Sequence, residues 1–148
     1  MIKKKIKLYY KKSVIKIFSN IYGKVFFTKN TNKLSDLIKI KDVNLKTFDN
    51  KNYNIYITKK ARIYTDNTEN VAVIKNNKIL PKISFQQIRG TLRQTKYNTV
   101  LNKGTPSFIT NYSGKVFNLA QGGSGNNYFH FFFDIIPKIY FVKKTKIF

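Results

Sequence analysis

The strongest constraint on the fold is a pair of adjacent asparagines between two short apolar runs. Residues 71–75 are apolar up to a final lysine, Asn76 and Asn77 follow, and residues 78–80 lead back into an apolar end. Asparagine tolerates the positive φ that a two-residue hairpin turn requires. The pattern therefore predicts a β-hairpin over residues 71–80.

Alternation of apolar and polar residues predicts further strands on both sides of this hairpin. The predicted strands are Tyr53–Ile57, Ala61–Thr65, Ile83–Ile88 and, as a buried strand, Lys115–Ala120. Gly104-Thr105-Pro106 and Gly114 mark turns. Residues 28–51 are polar and weakly periodic, which predicts a loop with a short helix over Ser35–Ile40.

The first 22 residues have helical periodicity and form the first predicted unit, with residues 23–148 as the second. One face carries Ile6, Tyr10, Val14, Ile17 and Ile21, and lysines occupy the rest. Two interpretations are open: attachment to anionic lipid headgroups, or packing of a surface helix on its own domain. Lysines interrupt any signal-peptide core, and no apolar run is long enough to span a bilayer. We therefore expect a cytoplasmic protein, at the inner face of the membrane under the first interpretation.

The net charge of +23 also has two interpretations. A basic chain can bind nucleic acid or another polyanion. However, only three of the 29 basic residues are arginine, the residue that grips phosphates and guanine edges most specifically. Lysine, asparagine, isoleucine, tyrosine and phenylalanine share A/T-rich codons, so codon bias accounts for the charge without a nucleic-acid partner. The chain has no cysteine, one histidine and six acidic residues, which argues against a disulfide framework, a zinc site or a carboxylate cage.

A glycine-rich loop over residues 121–127 separates the last predicted strand from a predicted helix over residues 128–144. Asn126 and Asn127 are candidate N-caps, and Pro137 predicts a kink or break near Ile136. A loop that opens a helix presents backbone N–H groups to anions such as phosphates. The loop lacks the residues of a P-loop, so a plain turn is the alternative.

The only histidine of the chain and its only acidic residue after Glu69 lie just behind this loop. His130 and Asp134 are four residues apart and therefore share a helical face. Asp134 could orient the imidazole, and His130 would then act as a general base or bind a hydroxyl group. The alternative is a core histidine among its phenylalanine neighbours. An acidic residue in this apolar run, however, requires a partner.

The segment from Gly122 to Lys138 resembles the hallmark of family 61 glycosyltransferases. That hallmark is a Gly/Asn-rich loop, an aromatic residue, His, two or three apolar residues, Asp, two apolar residues, and Pro followed by a basic residue. Phe131 stands where the family often has Trp. The residues that match the loop and the aromatic position are Gly122, Gly123, Ser124, Gly125, Asn126, Asn127 and Tyr128.

The resemblance implies an α/β fold, the N-terminal lobe of a GT-B-type glycosyltransferase, with a β-rich start followed by strand, glycine loop and helix. It implies inverting transfer of a sugar from a nucleotide-activated donor, without a metal or other cofactor, in capsular polysaccharide or lipopolysaccharide synthesis. His130 and Asp134 are the implied catalytic residues, and the loop with Tyr128 binds substrate. The family's catalytic region extends well beyond such a segment, so the resemblance implies an incomplete lobe over residues 23–148. The alternative is a basic, non-enzymatic module that binds nucleic acid or an acidic glycan.

Overall fold

A computed structural model describes residues 2–28, 38–44, 52–66, 70–88, 91–120 and 128–145. A long helix, α1 (Ile2–Tyr22), opens the chain, as its periodicity predicts. A short helix, α2 (Val100–Lys103), lies near the middle. The C-terminal helical segment consists of α3 (Tyr128–His130), a π-helical turn (Phe131–Ile135) and α4 (Ile136–Thr145).

In the described part of the chain, seven strands form two antiparallel sheets. The smaller sheet pairs β1 (Ile38–Asn44) with β2 (Asn52–Ile57). The larger sheet contains β3 (Arg62–Asp66), β4 (Asn70–Lys75), β5 (Lys78–Ile79), β6 (Phe85–Ile88) and β7 (Thr91–Arg93). Its order is β3-β4-β6-β7, and β5 also pairs with β4. β5 and β6 therefore share one edge of β4, and a 3-10 turn over Pro81–Ile83 connects them.

The predicted hairpin is the β4–β5 connection. Asn76 and Asn77 both have positive φ, 49° and 58°, as a primed two-residue turn requires. Ile74 pairs with Ile79, and Lys75 pairs with Lys78. The predicted hairpin is therefore confirmed. It could be predicted because its turn residues and its two apolar strands are adjacent in the sequence.

The hydrophobic core lies where β4 meets β5, α2 and the strand-like segment after α1. Its fully buried members are Val25, Ala72, Ile74, Ile79 and Val100. Phe26 forms a bridge with Lys78, which places the segment after α1 beside β5. β4 is the central strand of the larger sheet, and five of its six residues are buried.

Buried side chains, rather than strand pairing alone, attach α2 to the larger sheet. The Asn98 amide nitrogen donates to the carbonyl oxygens of Val71 and Phe85, at 3.1 and 2.9 Å. Its amide oxygen accepts from the backbone N–H of Val100 at 3.1 Å. Asn98 thus bonds to β4, to β6 and to the first turn of α2.

A second group of polar contacts extends this attachment along β3 and β4. Both Asp66 carboxylate oxygens accept from the Asn70 side-chain amide at 2.8 Å, and Asp66 also pairs with Lys103 of α2. The Asn70 amide oxygen accepts from the backbone N–H of Thr99 at 3.1 Å. The Lys103 ammonium lies 5.3 Å from the centre of the Tyr64 ring. These bonds satisfy groups that burial would otherwise leave unpaired.

Hydrogen bonds from side chains to backbone groups also join β4 to the residue before β6. Ser84 is buried, and its hydroxyl accepts from the backbone N–H of Val73 at 3.0 Å. Thr95 in turn donates its hydroxyl to the carbonyl oxygen of Pro81 at 2.9 Å. The stretch between β4 and α2 is therefore held by side chains at several points.

Two sequence predictions are wrong in this fold. Ile38–Ile40, predicted as the end of a helix, belongs to β1, where Ile38 and Ile40 pair with Ile57 and Ile55. The pairing partner overrides a weak local helical preference. The predicted start of that helix, residues 35–37, lies outside the described residues. Lys115–Ala120, predicted as a buried strand, is irregular and its first residues are exposed, because no described strand pairs with it.

The other predicted strands are present with ends shifted by one or two residues, and the class is a mixture of helix and antiparallel sheet in a small domain. Within the described part of the chain, no helix is both long enough and apolar enough to cross a membrane.

Candidate active site

The C-terminal helical segment changes its winding in the middle. The chain makes one α-helical turn, widens into the π-helical turn and returns to α-helix at Ile136. Pro137 lies one residue into α4. A proline has no N–H to donate and its ring crowds the carbonyl four residues earlier, here that of Phe133. The interruption predicted from Pro137 is present, and its form is a π turn.

The predicted site residues lie on different parts of this segment. The loop residues Gly122–Asn127 lie outside the described residues. Tyr128 is the first helical residue, and its side chain is 84% exposed. His130 ends α3, and Asp134 lies in the π turn. The structure therefore brings His130 and Asp134 onto one continuous helical segment, immediately after the loop.

Asp134 has a basic neighbour one turn further along, Lys138. Both side chains are half-buried. Burial lowers the pKa of the Lys138 ammonium, and the negative charge of Asp134 acts in the opposite direction. Lys138 is the basic residue of the family hallmark, and its spacing of four residues from Asp134 is the spacing at which opposite charges meet on a helix.

Four phenylalanine rings belong to the same helical segment as Asp134. Phe129 and Phe133 lie four residues apart, and their ring centroids are 4.6 Å from each other. Phe131 and Phe132 meet edge to face at 5.8 Å. All four rings are exposed by 45% to 65%, while Ile135 is buried. The segment thus places a large apolar surface next to one carboxylate and one ammonium group.

A second candidate surface is a groove at the edge of the larger sheet. Its volume is about 530 Å³, and its lining consists of Leu92, Arg93, Gln94, Lys96 and Tyr97. The Lys96 ammonium lies 5.0 Å from the centre of the Tyr97 ring. A basic and aromatic groove of this kind suits an anionic ligand with a flat ring.

Metal binding has no candidate among the residues that the structure describes, since no three acidic or histidine side chains group together there. The candidate sites are therefore the helical segment around Asp134 and, second, the groove. Comparisons of this chain with protein-family models, with curated proteins and with solved structures find no match.

Proposed function

We propose that this chain is the N-terminal lobe of a GT-B-type inverting glycosyltransferase. It would transfer a sugar from a nucleotide-activated donor to a surface polysaccharide or another glycan acceptor. The proposal begins with the loop, His, Asp and Pro pattern from Gly122 to Lys138. The observation that carries it further is the π turn inside that pattern.

The π turn occupies the five residues between His130 and Ile136. Well under 1% of residues in soluble proteins adopt this winding. Such turns cost regular hydrogen bonding and recur at functional sites, where they reposition a side chain. Here the repositioned residues include Asp134, the acidic member of the pattern. Pro137 favours this interruption and is itself part of the pattern, so the pattern contains both the cause of the turn and the acidic residue that the turn moves.

The chemistry is a single displacement at the anomeric carbon. The acceptor hydroxyl oxygen forms the new glycosidic bond while the bond to the nucleotide phosphate breaks, and the hydroxyl proton must pass to a base. His130 either takes this proton or positions the hydroxyl, and Asp134 orients the imidazole. The resemblance assigns phosphate binding to Gly122–Asn127 and Tyr128, and backbone N–H groups at the start of a helix suit the negative charge of phosphates.

The test is sugar transfer by the longest open reading frame that encodes this chain, with a panel of nucleotide-activated sugars. We expect His130→Ala to lower kcat by about 100-fold or more, the range for a lost general base. Asp134→Asn should lower it less, because the amide still fills the site but carries no charge.

The matched control is Lys143→Gln, which changes an exposed residue of α4 beyond the pattern. It should retain the original rate. Circular dichroism must give the same helix content for all variants. Full activity of both His130→Ala and Asp134→Asn would refute the catalytic assignment.

A further inference from the structure

Helix α1 has one apolar side that attaches it to the rest of the domain. The Phe18 ring meets the Phe108 ring edge to face, with centroids 5.1 Å apart. The Tyr22 carbonyl oxygen accepts from the Arg62 guanidinium at 3.4 Å, and the Tyr22 hydroxyl accepts from the Ile109 backbone N–H at 3.2 Å. These contacts all lie in the last two turns of the helix.

A different apolar side of α1 remains exposed. It consists of Ile6, Tyr10, Ile17 and Ile21, which we call the outer row. The four side chains are exposed by 62%, 72%, 56% and 54%. Their spacings of four, seven and four residues align them along the helix. At 3.6 residues per turn, the row lies about a third of a turn away from Phe18 and Tyr22. The outer row contains most of the face that the periodicity singled out, so that face is not the one that packs.

Lysines flank the outer row on both sides. Helical geometry places Lys3 and Lys7 at one edge of the row, and Lys5, Lys12 and Lys16 about a quarter to a third of a turn beyond the other edge, and all five are exposed. The helix contains no acidic residue. A row of aliphatic and tyrosine side chains, with lysines over much of the remaining circumference, is the pattern of a helix that lies in a membrane interface.

Three kinds of partner could cover such a surface, and charge and burial distinguish them. A second copy of α1 would bring lysines against lysines, since the helix has no carboxylate to pair with them. Nucleic acid would bind the lysines but leave the isoleucines in water. A bilayer with anionic headgroups accepts both, because the row enters the acyl boundary while the lysines reach the phosphates.

We propose that α1 is a membrane-surface helix that docks the domain on anionic lipid through the outer row. Phe18 and Tyr22 hold the other side of the helix against the domain, so the domain stands above the bilayer in a fixed orientation. This inference does not depend on the glycosyltransferase proposal, and it is tested without any activity assay.

The chain contains no tryptophan, so one introduced indole reports on one position only. We compare Tyr10→Trp, in the outer row, with Leu8→Trp, on the opposite side of the same helix. Both original side chains are more than half exposed. With the full chain and phosphatidylserine-containing vesicles, the emission of Tyr10→Trp should shift to the blue and that of Leu8→Trp should stay unchanged. Neither should shift with pure phosphatidylcholine.

Two matched variants, each with one shortened side chain, show how much the outer row contributes to the affinity for vesicles, which flotation measures. Ile6→Ser should weaken binding about tenfold, the scale of one aliphatic side chain withdrawn from an apolar phase. Leu8→Ser should bind as the original chain does. Two results overturn the proposal: equal flotation of Ile6→Ser and the original chain, or release from vesicles by single-stranded DNA together with equal blue shifts at positions 8 and 10. The first result would mean that vesicle binding rests on general electrostatic attraction alone. The second would mean that the lysines of α1 bind nucleic acid.

Discussion

Asn98 is a buried residue that joins the start of α2 to two strands of the larger sheet. Only 1% of its surface is exposed, and its side-chain amide bonds to backbone groups of β4, β6 and α2. The sequence gives no local pattern for this role, because the partners lie up to 27 positions away. A buried asparagine is identified only when the strands that need its bonds are in place.

Replacing Asn98 by alanine should therefore lower the free energy of unfolding by about 3 kcal/mol, since two carbonyl groups and one N–H lose buried partners. Urea denaturation followed by circular dichroism measures the loss. Asn102→Ala is the matched control, because Asn102 is an exposed residue of α2, four positions further along the chain. A loss below about 1 kcal/mol, the net value of one ordinary hydrogen bond, would show that the Asn98 bonds do not stabilise the fold.

The candidate catalytic residues illustrate which parts of the site can be identified from the sequence. His130 and Asp134 could be nominated because they are the only residues of their kind in the C-terminal half and their spacing is local. The π turn between them and the partial burial of Lys138 depend on how the helix meets its surroundings. These features could not be predicted from spacing.

Among the elements, the β4–β5 hairpin and helix α1 were predictable, and the form of their junction was not. Gly23 has a φ of 79°, and its N–H donates to the Ser19 carbonyl at 2.9 Å, which ends α1. A side-chain carbon at Gly23 would overlap the amide of Asn77, whose oxygen accepts from Arg62. The local turn residues thus determine where α1 ends and where the β4–β5 hairpin turns. The contact between Gly23 and Asn77, however, joins residues that are far apart in the sequence.

Gly23→Ala and Gly114→Ala form a matched pair for this junction. Both positions have positive φ, which costs a residue with a side chain about 1 to 2 kcal/mol. Gly114 has open space around it, whereas Gly23 lies against Asn77. We expect Gly23→Ala to reduce the free energy of unfolding by at least about 1 kcal/mol more than Gly114→Ala, because overpacking adds to the strain. Equal urea midpoints for the two variants would contradict the packed junction.

The two wrong predictions share a physical cause at the element scale. Residues 38–40 and 115–120 carry apolar residues in short runs that suit several conformations. Whether they become strand depends on a partner with free edge bonds. β2 supplies one for Ile38–Asn44, and no described strand supplies one for residues 115–120. Periodicity detects apolar faces but not the presence of that partner.

At the scale of the whole molecule, the charge of +23 is spread along the chain rather than concentrated at the groove of Leu92–Tyr97. Exposed lysines occur on α1, on the β4–β5 hairpin and beside the 3-10 turn. Outside α1, where the lysines are dense, charge spread in this way attracts polyanions weakly and without preference for one site.

We therefore expect Arg93→Gln/Lys96→Gln in the groove and Lys24→Gln/Lys82→Gln outside it to weaken heparin binding by the same small factor. Each pair removes two exposed cations, so each should reduce the salt dependence of binding equally. Elution from a heparin column and titration with single-stranded DNA at several salt concentrations provide the measurement. A loss confined to the groove pair would favour the basic binding module over the glycosyltransferase.

The side-chain hydrogen-bond acceptors in and around the larger sheet also affect how fast individual backbone N–H groups exchange with solvent. Among the described residues in or beside the core, the N–H groups of Asn70, Val73, Thr99 and Val100 donate to a side-chain oxygen. Their exchange with deuterium therefore depends on whether one particular side chain stays in place. Slow exchange at these four amides, faster after a single substitution of the acceptor, would mark this region as one cooperative opening unit.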